Sequence, residues 1–480
     1  MPRRPIHVTG APQAPLRAAL RSLRTTLDVP GEFPAEVLAE AEEAVRAPRL
    51  PAYDATHVPL FTVDPPGAVD LDQAMHLARR EGGGYRVHYA IADVAAFVRP
   101  GGAIDAEAHR RVMTLYFPDG KIPLHPPRLS EGAASLLPGQ TCPALLWRVD
   151  LDALGRTETV DVRRALVRSR ARLDYSAVQQ RIDAGTAQEP VALLRDIGRL
   201  REALERERGG ISLNVPEQEI VERGDTYFLG FRAPLPADGW NAQISLLTGM
   251  AAADLMTATG TGILRTLPAA PLGEVARLRR VARALRIEWP HHTSYAEIVR
   301  SLDPTKAAHA AFLQECTTLL RGAGYTVFTN GEVPDPAVHA AVAAPYTHCT
   351  APLRRLVDRY AGELCVAAAA GEEPPQWVRD ALPGLPREMA EGTRRAATVE
   401  RECVDVVEAA LLRDRVGDLF HARVVDVRDH DRAVGTVHLE DVAVVGRVEG
   451  GGADLPLGER ITVRLTQADP GTAKVLFTPA

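Results

Sequence analysis

The stretch TVDPPGAVDLDQAMHL, residues 62–77, places Asp64, Asp70 and Asp72 around a Pro-Pro-Gly turn between two apolar segments. Residues two apart in an extended chain point to the same side, so Asp70 and Asp72 are expected to share one face. The turn at 65–67 can fold Asp64 back toward them. Three carboxylates about 5 Å apart repel by roughly 3 kcal/mol per pair at an effective dielectric near ~20. Protonation, an arginine or a divalent cation must therefore balance them.

Two interpretations of these acids stay open on the residues alone. Carboxylate oxygens favour Mg²⁺ or Mn²⁺, and carboxylate clusters that hold such ions are the usual machinery for attack of water on a phosphodiester. The alternative is a solvated surface turn, because aspartate is common in turns. A calcium loop of the EF-hand type fits less well, since its glycine and its closing glutamate are both missing.

The segments around this turn predict an α+β fold. Strand patterns occupy 59–63, 74–80, 85–98, 144–152 and 155–173, and the second and third are joined by the turn EGGG into a hairpin. Helical patterns follow at 190–208, 240–266, 272–287, 304–323, 350–370 and 389–413. A strand-rich first half that leads into a helix-rich second half predicts one large domain over residues 51–413, a mixed sheet with helices.

The two ends of the chain have different patterns. Residues 13–26 and 34–47 predict two short helices, so residues 1–50 form a small helical unit that could resemble a helix-turn-helix. This unit is either a packing appendage or a reader of nucleic acid. Residues 416–480 predict four or five short strands with Gly and Asp turns, which is typical of a small barrel such as an OB fold.

Composition limits the class of protein. The 480 residues carry 56 Lys and Arg against 62 Asp and Glu, a net charge of -6, which argues against a broad basic surface but allows a local basic channel. The five scattered cysteines include no CxxC pair, so neither zinc nor a disulfide framework is expected. No secretory signal or membrane-spanning run is visible, and we expect a cytoplasmic protein.

A second candidate region is YTHCTAPLRRLVDRY, residues 346–360. Thr350 is placed to cap a helix that has Pro352 in its first turn. Arg354 would then lie near the helix N-terminus, where backbone N–H groups and a guanidinium together suit a phosphate, and Asp358 could pair with it one turn later. The alternative is a plain surface salt bridge.

Six segments, in this order, resemble the ribonuclease II/ribonuclease R family of RNB-domain 3′→5′ exoribonucleases. They are VDPPGAVDLDQA, YAIADVAAFVRPGGAIDAEAHRR, TLYFPDGKIPLHPPRLSEGAASLLPG, VRSRARLDYSAV, RERGGISL and YTHCTAPLRRLVDRY. The resemblance runs from about residue 53 to 413, and the C-terminal barrel resembles the S1-type OB domain of that family. Two N-terminal cold-shock barrels are usual there, and fifty mostly helical residues cannot hold them.

The resemblance implies roles for individual residues. Asp64, Asp70 and Asp72 match the first three of four aspartates that arrange Mg²⁺ (or Mn²⁺) around the scissile phosphate, with Asp70 and above all Asp72 needed for catalysis. Arg354 would hold the 3′-terminal phosphate. Tyr116 would stack on a base, although a half-buried strand aromatic is the alternative for it.

Three alternating arginines form a further candidate RNA contact. Arg168, Arg170 and Arg172 would share one strand face, which is either part of the RNA path or a solvated strand face.

Departures from the family pattern are equally specific. Gln73 stands at the fourth aspartate, where its amide oxygen can touch a cation without supplying a charge. Leu213 stands where the family often has a second stacking phenylalanine, so the base clamp should be one-sided. Leu247 and Thr248 stand where two glutamates are usual. These changes are compatible with a tuned enzyme or with an inactive one.

Three functional hypotheses follow. The first is a Mg²⁺-dependent, processive exoribonuclease that hydrolyses single-stranded RNA from its 3′ end to nucleoside 5′-monophosphates, as a monomer, without a membrane, in RNA decay or 3′-end processing. The second is an RNA-binding regulator with a weakened catalytic site. The third and weakest is a DNA-binding factor that uses the N-terminal helices.

Overall fold

The computed structural model describes residues 7–8, 14–215, 217–223, 226–335, 337–428, 430–439, 444–472 and 474–480. Its strands are β1 (His7–Val8), β2 (Leu60–Asp64), β3 (Gln73–Arg79), β4 (Tyr85–Ala92), β5 (Leu115–Phe117), β6 (Gly120–Ile122), β7 (Thr141–Leu151), β8 (Thr157–Asp174), β9 (Glu217–Arg223), β10 (Thr226–Arg232), β11 (Gly262–Thr266), β12 (Gly324–Phe328), β13 (Val338–His339), β14 (Ala344–Pro345), β15 (Leu419–Arg428), β16 (Asp431–Leu439), β17 (Val445–Glu449), β18 (Arg460–Asp469) and β19 (Lys474–Pro479).

The helices dominate the second half, as the sequence pattern predicts. In the described ranges no helix is long and apolar enough to span a lipid bilayer. The helices are α1 (Ala14–Thr26), α2 (Ala35–Arg46), α3 (Ala103–Arg111), α4 (Tyr175–Asp183), α5 (Glu189–Glu207), α6 (Pro236–Thr259), α7 (Leu272–Ala284), α8 (Tyr295–Ser301), α9 (Ala307–Cys316), α10 (Leu356–Ala370), α11 (Gln376–Ala381) and α12 (Leu385–Leu412).

Five strands of the first half close into a barrel in the order β2-β3-β4-β7-β8. Neighbours are antiparallel except β8 and β2, which are parallel and complete the ring. The predicted hairpin β3–β4 has Gln73 opposite Ile91 and Arg79 opposite Tyr85. The mixed sheet expected from the sequence is therefore confirmed, and it is closed on itself. The acidic turn leaves the barrel where β2 ends and returns where β3 begins.

Helix α6 forms the apolar centre of the helical half. It packs against α5 and α10, and half of its 24 residues are buried. The pattern predicts this helix through residue 266, but it ends at Thr259 because Gly260, at φ 75°, adopts the left-handed conformation that terminates a helix. Strand β11 begins two residues later.

Helix α10 begins six residues later than the sequence predicts. The predicted cap at Thr350 is wrong, because residues 351–354 form a turn and the extended Arg355 bridges to Met113 in the α3–β5 connection. Thr114 N–H donates to Arg354 O at 3.0 Å, and Leu356 N–H donates to Val112 O at 2.9 Å. These tertiary hydrogen bonds satisfy backbone groups that would otherwise be paired within the first turn of the predicted helix. The candidate arginine consequently lies in a turn that precedes the helix.

The C-terminal strands form a second closed barrel in the order β15-β16-β17-β19-β18, in which only β17 and β19 are parallel. That order and that single parallel pair are typical of an OB fold, which confirms the prediction for this end of the chain. The two aromatic residues of the barrel, Phe420 and Phe477, are buried with ring centroids 5.9 Å apart. They therefore fill the barrel core.

The two predicted N-terminal helices are present as α1 and α2. Leu20 and Val37 are buried, α1 packs against α12, and α2 packs against α3. Arg24 of α1 also forms an ion pair with Asp119 in the β5–β6 turn. This packing supports the interpretation of the helices as an appendage of the large domain. Reading of nucleic acid by these helices stays a prediction.

A glycine-to-alanine exchange tests the crossing of α5 and α6. A methyl group at Gly198 would lie 2.5 Å from Trp240 Cβ, which must shift to accommodate it. We expect Gly198→Ala to lower the free energy of unfolding by about 1 to 3 kcal/mol, the usual cost of overpacking. Denaturant unfolding measures this change.

The matched control is Gly273→Ala in the first turn of α7, where a methyl group meets nothing within 4 Å. Its stability should be unchanged or slightly raised, since alanine is the better helix former. Equal effects of the two variants would contradict the close α5–α6 crossing.

Candidate functional site

The acidic turn is held in place by its own backbone and by one serine. Ala68 N–H donates to Pro65 O at 3.1 Å, which closes the predicted turn. The hydroxyl of Ser135 accepts from Leu71 N–H at 2.9 Å and donates to Val69 O at 2.7 Å. These contacts fix the backbone on both sides of Asp70, so the carboxylates start from defined positions.

Asp72 is the point where the acidic turn meets the second candidate region. One carboxylate oxygen accepts from Leu353 N–H at 2.8 Å, and the other accepts from Arg354 Nε at 3.1 Å. The residue is only 4% exposed. The structure thus brings Asp72 and Arg354 into contact, although they are 282 positions apart in the sequence.

The ion-pair partner of Arg354 in the structure differs from the predicted one. Asp358 forms a two-pronged ion pair with Arg355 at 2.8 and 2.7 Å and accepts from Ala351 N–H at 2.7 Å. The predicted Arg354–Asp358 pair is thus wrong, because the extended backbone at 355 turns the second arginine toward Asp358. This buried ion pair stabilises the turn at 350–355. Arg354 is not part of it and pairs with Asp72 instead.

Burial raises the pKa of both aspartates that face this junction. The pKa of Asp72 is raised to about 7 by desolvation, against the opposing effect of the Arg354 charge. Desolvation likewise raises the pKa of Asp64 to about 6, again opposed by Arg354. Two carboxylates whose charge is poorly solvated will gain from any further cation that reaches them.

Asp70 is paired with a lysine that the sequence analysis missed. Lys121 Nζ lies 2.8 Å from Asp70 Oδ1 and 3.0 Å from Glu131 Oε1. One signal was available, because Lys121 is one of only three lysines in the chain and lies within the family-like segment 114–139. No spacing rule connects position 121 to position 70, however.

Gln73 is held at both ends of its amide. Tyr89 Oη donates to Gln73 Oε1 at 3.0 Å, and Gln73 Nε2 donates to the carbonyl oxygen of Thr350. The Tyr89 hydroxyl also contacts Ser245 Oγ at 2.8 Å. A carbonyl oxygen has a second lone pair, so contact of Gln73 with a cation stays a prediction.

The fit of a divalent ion follows from these contacts. In the part of the chain that the structure describes, no group of three or more His, Cys, Asp or Glu side chains has metal-binding geometry. Asp70 and Asp72 are each paired with a cation, so the expected cluster of three free carboxylates is not preformed. Asp64 Oδ2 is buried and makes no hydrogen bond. That bare oxygen fits a Mg²⁺ or Mn²⁺ ion, which prefers carboxylate ligands.

Tyr116 and Lys121 are presented by one hairpin. They are directly opposite each other on β5 and β6, so their side chains share a face. Tyr116 is 41% exposed and lies close enough to Arg354 to influence the pKa of that guanidinium. The predicted base-stacking residue is therefore an exposed aromatic beside the candidate phosphate-binding arginine.

The three alternating arginines lie on one face of β8. Arg168 donates to Thr141 Oγ1 at 2.8 Å, Arg170 to Thr56 O at 2.7 Å and Arg172 to Ala68 O at 3.0 Å. Arg172 thus reaches the acidic turn itself. The row leads from the barrel surface to the candidate site.

The remaining predicted positions lie in apolar surroundings. Leu213 is half-buried against the helical cluster of α7–α9, beside Tyr295 and Leu319. Leu247 and Thr248 are fully buried in α6, and the Thr248 hydroxyl donates to Ile244 O at 3.0 Å. The residue of α6 that contacts the site through Tyr89 is Ser245.

Two protein-family models match successive parts of the chain. The model of the RNB domain matches residues 52–368, and the model of the RNase II-type exonuclease C-terminal S1 domain matches residues 418–480. Ribonuclease R 1 of Lactococcus lactis is 24% identical over 497 residues, with 94% of this chain and 60% of the relative covered. Ribonuclease R of Escherichia coli is 26% identical over 487 residues, with 92% and 58% covered. The chain thus spans about 60% of the length of these relatives.

Solved structures show the same fold. Mycoplasma genitalium RNase R in complex with ribose methylated single-stranded RNA has a TM-score of 0.82 at 19% identity, covering 97% of this chain and 78% of that one. Yeast Ssd1, described as a pseudonuclease, has a TM-score of 0.66 at 16% identity, covering 92% and 54%. Because the RNB-domain model matches more than half of its residues, the chain belongs to the RNB-domain family and ends in an RNase II-type S1 domain.

Proposed function

We propose that this protein is a divalent-metal-dependent 3′→5′ exoribonuclease that shortens single-stranded RNA processively and releases nucleoside 5′-monophosphates. The observation that carries the proposal is the junction of Asp72 with Arg354, beside a bare buried oxygen of Asp64 and an exposed Tyr116. Acid, guanidinium and aromatic ring are the three groups that a terminal phosphodiester and its base require.

Each of these side chains has a distinct task. Asp64 would hold the Mg²⁺ or Mn²⁺ ion, and Asp72 would contribute once Arg354 leaves it, while Asp70 stays paired with Lys121 beside the ion. The bound ion supplies an activated water and screens negative charge on the phosphate. Arg354 turns its guanidinium from Asp72 to the phosphate, which it can grip with two parallel hydrogen bonds. Tyr116 stacks on a base without regard to sequence.

The RNA would approach along the β8 arginines. Arg172 contacts the acidic turn, and Arg170 and Arg168 continue the row away from it. If these arginines give up their present hydrogen bonds to carbonyl and hydroxyl oxygens, they can bind successive phosphates of the RNA. We further propose a cytoplasmic monomer that acts in RNA decay or 3′-end processing, with domain limits near residues 50 and 415.

A second candidate is an RNA-binding regulator with a weakened catalytic site. The uncharged Gln73 and the pairing of Asp70 with Lys121 favour it. A neighbour in fold is described as a pseudonuclease, so the fold by itself does not decide between the two. Shortening of RNA by the purified protein distinguishes them.

The first test is Asp72→Asn. The amide keeps an acceptor for Leu353 N–H but removes the charge that faces Arg354, so we expect shortening of a 5′-labelled single-stranded RNA with Mg²⁺ to slow by roughly 10³-fold or more. Binding of that RNA should persist. The control is Asp380→Asn on α11, where the exposed carboxylate accepts a hydrogen bond from Gln376 of the same helix and full activity is expected. Tight binding without release of mononucleotides by the unaltered protein would favour the regulator.

The second test is Gln73→Asp, which restores a charge at the acidic turn. We expect a lower Mg²⁺ concentration for half-maximal rate, because a carboxylate attracts the ion more strongly than an amide. The melting temperature should fall at the same time, since the Thr350 carbonyl loses its donor at a cost of about 1 to 3 kcal/mol. An unchanged metal requirement would mean that residue 73 is not at the ion.

The third test concerns Tyr116. Tyr116→Ala should weaken binding of single-stranded RNA by about 5- to 150-fold, the equivalent of one base stack, whereas Tyr116→Phe should bind nearly as the unaltered protein does. Tyr53→Ala is the matched control, because Tyr53 is similarly exposed, at 45%, and packs against Arg163. Equal losses at both tyrosines would remove the specific role of Tyr116.

A further inference from the structure

The ammonium group of Lys121 has surroundings that are unusual for a lysine side chain. Its ammonium lies between two carboxylates, 2.8 Å from Asp70 and 3.0 Å from Glu131, and its side chain is only 22% exposed. Two carboxylates within hydrogen-bonding distance stabilise the charged form of the side chain. The side chain is therefore a fixed cation at neutral pH.

The hairpin fixes the position of this cation. Lys121 is opposite Tyr116 in the β5–β6 pairing, and Arg24 of α1 pairs with Asp119 in the turn between those strands. A lysine on a free loop would sample many positions, whereas this one starts from a short, braced strand. Two carboxylate oxygens that converge on one cation within 3.0 Å could equally converge on a metal ion.

The charges of the site agree with such a replacement. Gln73 supplies one negative charge fewer than the aspartate that the family pattern has there, and Lys121 supplies one positive charge. Compared with an aspartate at 73 and a neutral residue at 121, the local charge is more positive by two units, which equals the charge of one divalent ion. The remaining bare oxygen, on Asp64, lies on the other arm of the acidic turn.

We infer that the Lys121 ammonium occupies a cation position beside Asp70 and Glu131 that a divalent ion would otherwise fill, so that this site binds one divalent ion, at Asp64. The inference rests on the proposed function, because it concerns the same site. Lys121 is then a positioning residue that neutralises Asp70 permanently. An ammonium has three donors, and two of them are used by the carboxylates, which leaves one for a phosphate oxygen of the RNA.

The experiment counts bound ions directly. Mn²⁺ is titrated into the full chain, with and without a single-stranded RNA that carries a non-hydrolysable 3′-terminal linkage, and free Mn²⁺ is measured by electron paramagnetic resonance. We expect one ion for the unaltered protein and two for Lys121→Ala, which frees Asp70 and Glu131 and leaves room for a hydrated ion. Lys121→Arg keeps the positive charge and should bind one.

Two variants control the count. Lys306→Ala removes an exposed lysine at the start of α9 and should still bind one ion. If thermal melting shows that Lys121→Ala does not fold, Lys121→Gln, which keeps the length and removes the charge, takes its place with the same expectation of two ions. Two ions in the unaltered protein, no ion in it, or one ion in the neutral Lys121 variants would overturn the inference.

Failure of this inference and failure of the proposed function are distinguishable. Shortening of hydrolysable RNA by the unaltered protein tests the function and does not depend on the ion count. An active protein with two ions would refute only the role of Lys121.

Discussion

The hydrogen bonds of Asp72 to Leu353 N–H and Arg354 are the constraint on which the site depends. They join the turn between β2 and β3 of the first barrel to the turn before α10 in the helical half. Removal of one partner from a buried ion pair costs roughly 3 to 5 kcal/mol, because the other charge is left uncompensated. The junction therefore aligns two segments that are distant in sequence and makes the alignment sensitive to charge.

The surroundings of this junction are arranged to support it. The Arg355–Asp358 pair and the hydrogen bond of Asp358 to Ala351 N–H stiffen the turn on one side. Ser135 stiffens the acidic turn on the other side. Since neither Asp72 nor Arg354 lies on a regular element, these neighbours supply the rigidity that a helix or strand would otherwise provide. Precise placement is what electrostatic catalysis requires of such groups.

Much of the fold could be predicted from the sequence, because apolar periodicity and turn residues are local signals. The β3–β4 hairpin, the first helices and the C-terminal barrel are examples. The start of α10 could not be predicted, because the hydrogen bonds that replace its first turn come from Thr114 and Val112. The same tertiary contact determines which arginine pairs with Asp358. At the candidate site, Asp72 and Arg354 were singled out from their local sequence and joined in one site by the family resemblance. Lys121 required the structure, since its partner Asp70 lies 51 positions away.

In the proposed function, an RNA chain would compete with the present ion pairs of the site. Arg354 must leave Asp72 before it can grip a phosphate, and the carboxylate it leaves is buried and gains from a new cation. Arrival of the phosphate at Arg354 and approach of a divalent ion to the freed Asp72 therefore favour each other. This coupling is absent at Asp70, because Lys121 neutralises that carboxylate whether or not RNA is bound. In the proposed function, one arm of the acidic turn would thus respond to the substrate and the other would hold a constant charge. A turn with an uncharged residue at position 73 would then still present a balanced site to a threaded strand.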